Sequence, residues 1–183
     1  MPKTLTTDRL ILRGVTAADA PAYQKYFNDY EVIRQLGHHV PWPYPENGAA
    51  DFIQNVILPE QDNDKWVWAI FLKTYPTEAI GAVDLWRKGS PENRGFWLGR
   101  PFWGQGLMTE AVTIVMDYAF DELGFETLIF SNAKGNIGSR RVKEKTGAKL
   151  IDVQPGKMVD PIYTEVEIWE LHKYEWQAYR QNS

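Results

Sequence analysis

Residues 100–111 read RPFWGQGLMTEA, with two glycines, Gly104 and Gly106, set two apart ahead of a run of good helix formers. Leu107, Ala111, Ile114, Val115, Tyr118 and Ala119 follow at helical spacing, which predicts a helix to about Leu123 with one apolar stripe against a sheet. The first turn of that helix carries N–H groups without intrahelical partners, at the positive end of its dipole. Glycines at 104 and 106 permit positive φ and remove the Cβ atoms that would hold a ligand away. Two readings follow: a tight strand-to-helix turn, or a cradle of N–H groups for an anion such as a pyrophosphate. A dinucleotide fingerprint would need a third glycine where Thr109 stands, and a P-loop would need Gly-Lys-Ser/Thr. Neither fits. Met108 is bulky for a cradle, so its side chain must turn into the core if the second reading holds.

Outward from this stretch the chain alternates strand and helix patterns. Residues 9–15, 65–73, 79–88 and 93–100 read as strands, the second apolar on both alternating faces as a covered central strand would be. A turn is expected around GSPEN, 89–93. Thr16 is an N-cap candidate for a helix carrying Ala20, Tyr23 and Phe27, and short helices are expected over 30–36 and 47–58. Three prolines make 37–48 an extended loop. After the glycine helix come strand 127–132, helix 137–147, strands 148–153 and 161–171, and a short helix around 173–180. The expectation is one α/β (α+β) domain over 1–183, with a mixed sheet and helices packed on it.

Composition sets further limits. The 183 residues are 44% apolar and 24% charged, which is ordinary for a globular protein. No apolar run suits a membrane span, and the N-terminus lacks a secretory signal. With no cysteine there is no disulfide, thiolate metal site or cysteine nucleophile. A cytoplasmic protein is expected. The net charge of −4 argues against broad nucleic-acid binding. His38 and His39, without further His or Cys nearby, make no metal site.

The second half adds a basic segment. Residues 134–149 hold six Lys or Arg against one Glu. Asn136 precedes the helix as a cap candidate, and Ser139 and Lys143 fall on the same side.

These motifs together resemble the GNAT (GCN5-related N-acetyltransferase) superfamily, in particular the branch of ribosomal-protein N-terminal alanine acetyltransferases (RimJ/RimL-like). The likeness runs from TDRLILR (7–13) to YTEVEIWEL (163–171). It is carried by FWLGRPFWGQGLMTEAV (96–112), NIGSRRVKEKTGA (136–148) and PWPYPENGAADFI (41–53). The family's Gln/Arg-x-x-Gly-x-Gly/Ala loop aligns with 103–108: Gly106 is kept, Trp103 replaces the first residue, and Met108 departs from the small last one.

The resemblance implies a GNAT fold, a mostly antiparallel sheet of about seven strands splayed after the fourth, with helices on both faces. It implies acetyl-coenzyme A as acetyl donor and no metal. The donor would lie in the gap, with its pyrophosphate on the N–H groups of Trp103, Gly104, Gln105, Gly106, Leu107 and Met108, at the helix start reached by Thr109. Its pantetheine would run along Trp97, Leu98 and Gly99. Asn132, Asn136 and Ser139 would lie near the pantetheine and thioester, and Arg140 or Lys143 near the outer phosphate. Asn136 and Ser139 are the catalytic candidates. Many relatives place a tyrosine acid where this chain has Lys143, so Ser139 is left to hydrogen-bond the leaving sulfur, unless it only caps its helix.

No single base stands out. Asn93 stands where the branch often has Glu; Glu92, Asp84, Glu165 and Glu167 remain, with the last two sharing a solvent-facing side of their strand as the plainer reading. Trp42, Tyr44 and Asp84 are candidates for the acceptor side, although the two aromatics could equally cover the core edge. The implied activity is transfer of acetyl to a primary amine, foremost a protein or peptide N-terminus, or a small amine. An acyl-coenzyme A sensor or interaction module without turnover is the alternative. No nucleic acid or membrane partner is expected, and the chain could act as monomer or homodimer.

Overall fold

A computed structural model describes residues 1–88 and 91–183. Five strands form one antiparallel sheet in the order β1 (Leu5–Thr6), β2 (Leu10–Gly14), β3 (Lys65–Leu72), β4 (Gly81–Trp86) and β5 (Arg94–Leu98). A second sheet places β8 (Glu165–His172) between β6 (Thr127–Ala133) and β7 (Lys149–Pro155), again with antiparallel ladders. The break falls after the strand expected as the fourth, which is β5 once the two-residue β1 is counted. The eight strands among the described residues exceed the expected seven by that short edge. Of the expected turn at 89–93, Gly89 and Ser90 lie outside the described residues.

Alternation in β3 explains the layers. Trp66, Trp68 and Ile70 face one core with α4 (Leu107–Asp121), β6, β8 and α6 (Lys173–Gln181). Val67, Ala69 and Phe71 face a second core with α1 (Ala20–Phe27), α2 (Tyr30–Ile33) and α3 (Gly48–Phe52). A strand buried on both faces reads as a continuous apolar run, as here. Thr16 enters through a 3₁₀ turn at Ala17–Asp19, and its N–H donates to the Asp19 carboxylate at 2.8 Å. Helix α3 continues as a π-helical turn at Ile53–Ile57 before Pro59. The last strand and helix differ by a few residues from the sequence expectation: β8 starts at Glu165, leaving Ile162 exposed outside it.

The buried face of α4 is rotated from the expected stripe. Leu107, Ala111, Val115 and Ala119 are buried, but so are Met108, Val112, Met116 and Phe120, while Ile114 and Tyr118 are only half-buried. The reason is tertiary: α4 packs on β1, β2 and β4 and also against α5 (Ile137–Lys145), so it must hide a wider arc than one sheet would require.

Asn93 joins the two sheets. Its N–H donates to Ile129 O at 2.7 Å, its Oδ1 accepts from Ile129 N at 2.9 Å, and its Nδ2 reaches Trp86 O at 3.1 Å. Beyond that clasp no ladder joins β5 to β6 among the described residues, and the strands part. Asn93→Ala removes both side-chain bonds and strands the Ile129 N–H, so urea unfolding should find it about 2 kcal/mol less stable; an unchanged midpoint and slope would show the clasp to be dispensable.

Candidate active site

The parted strands border a cleft of about 890 Å³ whose walls come from β4, β5, the loop before α4, β6, the start of α5 and the α1–α3 layer. The loop before α4 forms one end. Gly104 and Gly106 have φ of +72° and +74°, and Gly106 is the left-handed N-cap of α4. Nothing lies within 4 Å of where a Gly104 Cβ would sit, so that face opens outward. The N–H of Trp103 is used by Arg100 O at 3.2 Å. Those of Gly104 through Thr109 donate to no acceptor among the described residues, and the first N–H of the helix to be satisfied is Glu110, on Gly106 O at 3.0 Å. The uncommitted run is therefore 104–109, one residue later than the loop's alignment implies. Its shape is held from behind: Glu110 accepts from Thr7 Oγ1, Arg9 N and Arg9 Nε at 2.5, 2.9 and 2.6 Å, and Arg9 Nη1 donates to Gln105 O at 2.9 Å. Met108 is buried in the core, so only its backbone faces the loop.

The edge of β5 forms the floor. Gly99 N donates to Ile80 O at 2.8 Å, which sets the phase of the β4–β5 ladder. By antiparallel alternation, Trp97 and Gly95 direct their backbone groups at β4, while Phe96 and Leu98 direct theirs into the gap. Trp103 Nε1 donates to Leu98 O at 2.7 Å from that open side, which agrees with this phase. Of the three positions expected to pair with an extended ligand, Leu98 alone offers its N–H to the cleft. Phe96 is the second such position, and sequence reasoning missed it because the phase of a ladder is set by its neighbour. Gly99 instead lies against Tyr26, whose ring would be 2.7 Å from a Cβ there.

Helix α5 supplies the facing wall. Asn136 Oδ1 accepts from Ser139 N at 3.0 Å, the N-cap expected of it. Ser139 Oγ makes no bond back to the backbone of its own helix among the described residues; it accepts from Lys143 Nζ at 2.8 Å. Lys143 is 1% exposed, and its Nζ lies 5.3 Å from the Phe96 ring centroid. Burial, and the Arg94 charge after it, hold the Lys143 amine well below its ordinary range. It cannot reach an outer phosphate. Arg140 is committed to Glu144 and Glu167 at 2.8 and 2.6 Å. Arg141 and Lys145 are both exposed on the cleft wall and without an ion pair among the described residues. Asn132 is buried and ties its Nδ2 to Glu167 Oε2 at 2.9 Å, leaving its Oδ1 without a partner among the described residues. Glu167 is thus a buried strut and not the solvent-facing residue of the plainer reading, because α5 folds over that face of β8; Glu165 remains exposed beside Lys134.

The opposite wall faces α1. Asp84, paired with Gly95 across the ladder, lines the cleft together with Tyr23 and Trp97. Burial raises the Asp84 carboxyl to about 6, against the pull of Lys65. Tyr23 Oη and Trp97 Nε1 are buried without hydrogen-bond partners among the described residues. Tyr23 looked like plain core from its helical spacing; only the packing of α1 over β5 brings its hydroxyl to the cleft. Arg94 lies on the other face, 2% exposed, with its guanidinium carbon 3.8 Å above the Phe130 ring.

Besides Gly99, three expected residues are not on the cleft wall. Tyr44 is core, edge-on to Phe27 at 5.4 Å. Trp42 packs outside on Tyr30, the rings tilted with centroids 5.1 Å apart, and is 42% exposed. Gln105 folds its side chain onto Pro101 O at 3.1 Å. The loop that carries Trp42 and Tyr44 packs on α1 and α2, and leaves His39, Val40 and Gln35 nearer the opening.

Residues 9–149 match the family model described as an acetyltransferase (GNAT) domain. The chain belongs to the GNAT family. It is 40% identical over 126 residues to "Probable N-acetyltransferase YjcK" of Bacillus subtilis (strain 168), an alignment that spans 67% of this chain and 66% of that relative. Among solved structures it resembles the ribosomal-protein-S5-alanine acetyltransferase of Vibrio fischeri, with a TM-score of 0.79, 14% identity, and coverage of 96% of this chain and 99% of that one. It also resembles RimL, a ribosomal L7/L12 α-N-protein acetyltransferase solved in complex with coenzyme A, at TM-score 0.77 and 19% identity, covering 93% and 98% of the two chains. At these identities the two structures establish the fold alone.

The raised Asp84 carboxyl has a measurable consequence. Its native form holds a proton that the unfolded chain releases near pH 4, so it lowers stability as pH rises from about 4 to about 6. Asp84→Asn should be more stable than the parent at pH 7, by about 3 kcal/mol, with the gap closing below pH 4 in urea titrations. Equal stability at both pH values would show that the carboxyl is not desolvated.

Proposed function

We propose that this GNAT chain is an acetyl-coenzyme A-dependent N-acetyltransferase acting on a primary amine, foremost the α-amine of a protein or peptide N-terminus. The observation that carries this reading is the run of uncommitted N–H groups at 104–109 beside the open edge of β5. Backbone donors at a helix start suit a pyrophosphate, and a free strand edge suits an extended arm with amides. When bound, acetyl-coenzyme A supplies an acetyl group on a thioester. The residues that would hold it are Gly104 to Thr109 for the pyrophosphate, Phe96 and Leu98 for the amide arm, and Arg141 or Lys145 for the outer phosphate. The Leu98 N–H is the preorganised donor toward a carbonyl oxygen placed in the gap.

The acceptor reading rests on the α1 wall. Asp84, Tyr23 Oη and Trp97 Nε1 give a desolvated polar set that an amine can satisfy. An α-amine, with a pKa of about 7.7–8.0, is far easier to present in its neutral form than a lysine amine at about 10.4. With a carboxyl near 6, Asp84 can take the amine's proton directly or through water above that pH. The likeness to two ribosomal-protein acetyltransferases supports a peptide N-terminus over a small amine.

Purified protein mixed with acetyl-coenzyme A and a panel of N-terminal peptides, lysine peptides and small amines should release thiol fastest with N-terminal peptides. Tight coenzyme binding with no thiol release for any acceptor would replace the enzyme reading by that of a sensor. Gly106→Trp places a bulky side chain on a left-handed residue inside the cradle, and should weaken coenzyme A binding by on the order of 100-fold with the circular dichroism spectrum retained. For the parent, kcat/KM should rise with pH through about 6, and Asp84→Asn should flatten that limb.

A further inference from the structure

The proposed acetyl transfer leaves one buried group without a purpose. Lys143 is among the most enclosed residues of the molecule, yet it has no carboxylate partner at ion-pair distance among the described residues. Its one hydrogen bond goes to Ser139 Oγ at 2.8 Å. A buried lysine without a counter-ion costs stability that a methionine of similar shape would not. Packing alone therefore gives no reason for a lysine there.

The geometry of the pair gives one. Because Ser139 Oγ accepts from Lys143, its own hydroxyl hydrogen is not directed at Lys143. That hydroxyl donates to no acceptor among the described residues, and the serine makes no bond to the carbonyl one turn earlier. Both residues line the cleft, and Lys143 Nζ sits 5.3 Å from the Phe96 ring, beside the open edge of β5. The hydroxyl hydrogen is thus free to point at a ligand atom on that edge.

We propose that Lys143, acting through Ser139, supplies the proton that the departing coenzyme A sulfur takes up. The inference rests on the acetyltransferase reading above. In that step the amine nitrogen forms a bond to the acetyl carbon, the carbon–sulfur bond breaks, and its electron pair goes to sulfur. The sulfur takes the Ser139 hydroxyl proton, and Ser139 takes one from the Lys143 ammonium. The surplus proton of the amine leaves to Asp84 or water, and Lys143 regains its own from water after the products depart. Ser139 is the catalytic residue and Lys143 its positioning and proton-supplying partner.

A serine hydroxyl alone is a poor acid beside a thiol of pKa about 8.5. A lysine whose amine is held well below its ordinary range gives up its proton more readily. The groups that face Lys143 set that balance. Burial and Arg94 on β5 lower it, while Glu92 ahead of β5 and Glu167 on β8 pull the other way.

The test compares the parent with Lys143→Met, Ser139→Ala and the double variant. Lys143→Met should melt at the same or a higher temperature and lower kcat by on the order of 100-fold, with little change in KM for acetyl-coenzyme A. The parent should lose kcat at high pH as Lys143 gives up its proton, and Lys143→Met should lack that limb. The double variant should be no slower than the worse single one, because both act on one path. A second readout needs no turnover: ultraviolet absorbance of the thiolate reports the titration of coenzyme A bound to the protein. The bound thiol should titrate about one unit lower in the parent than in Lys143→Met.

The proposal is overturned if Lys143→Met keeps kcat within about twofold of the parent and leaves the bound thiol's titration unchanged, or if the two single losses multiply in the double variant. A parent that binds coenzyme A but acetylates no amine removes the transferase reading, and the thiol titration still decides whether Lys143 and Ser139 act on the sulfur.

Discussion

Everything at the site depends on the point where β5 and β6 stop being neighbours. Two adjacent strands would normally satisfy each other's backbone groups along their length, since a buried unpaired N–H is costly. Here, among the described residues, backbone pairing is confined to Asn93 and Ile129, with the Asn93 amide and a Ser131–Glu92 bond completing the clasp. Past it, Phe96 and Leu98 keep donors and acceptors aimed at a gap. The gap survives because each sheet is stabilised from elsewhere: β5 by β4 and the α1 layer, β6 by β8, and both by α4 lying across them.

The loop before α4 obeys the same logic on a smaller scale. A helix start always presents unsatisfied donors. The Arg9–Glu110–Thr7 cluster fixes the loop's shape through side chains and one backbone carbonyl, and leaves the donors of 104–109 untouched. Rigidity is provided without occupying the groups that would meet a ligand. Preorganisation of this kind lets binding energy go into holding reactants together and not into ordering the loop.

Charge is arranged against stability in two places. Asp84 on the α1 side and Lys143 on the α5 side are both desolvated, and both have ionised forms made less favourable by burial. They lie on opposite walls of one cleft, one suited to accept a proton and the other to give one. In the proposed transfer, proton movement is divided between these two groups, one on each face of the cleft.

The element order, the doubly covered β3 and the glycine turn into α4 were legible in the sequence because each rests on local periodicity or backbone chemistry. The Asn136 cap and the position of Ser139 were legible for the same reason. Other features depend on which surfaces meet. The arc of α4, the burial of Glu167 under α5 and the removal of Trp42 and Tyr44 from the cleft could not be read from spacing, since spacing says which residues share a face and not what covers it. The phase of the β5 edge, which opens Phe96 and Leu98 and closes Gly99, is fixed by one bond to β4. Lys143 is the sharpest case. The sequence by itself put a cation on the same helix side as Ser139; only the tertiary structure decided that this cation is buried, bonded to the serine and beyond reach of an outer phosphate, because β5 and β8 close over the inner face of α5.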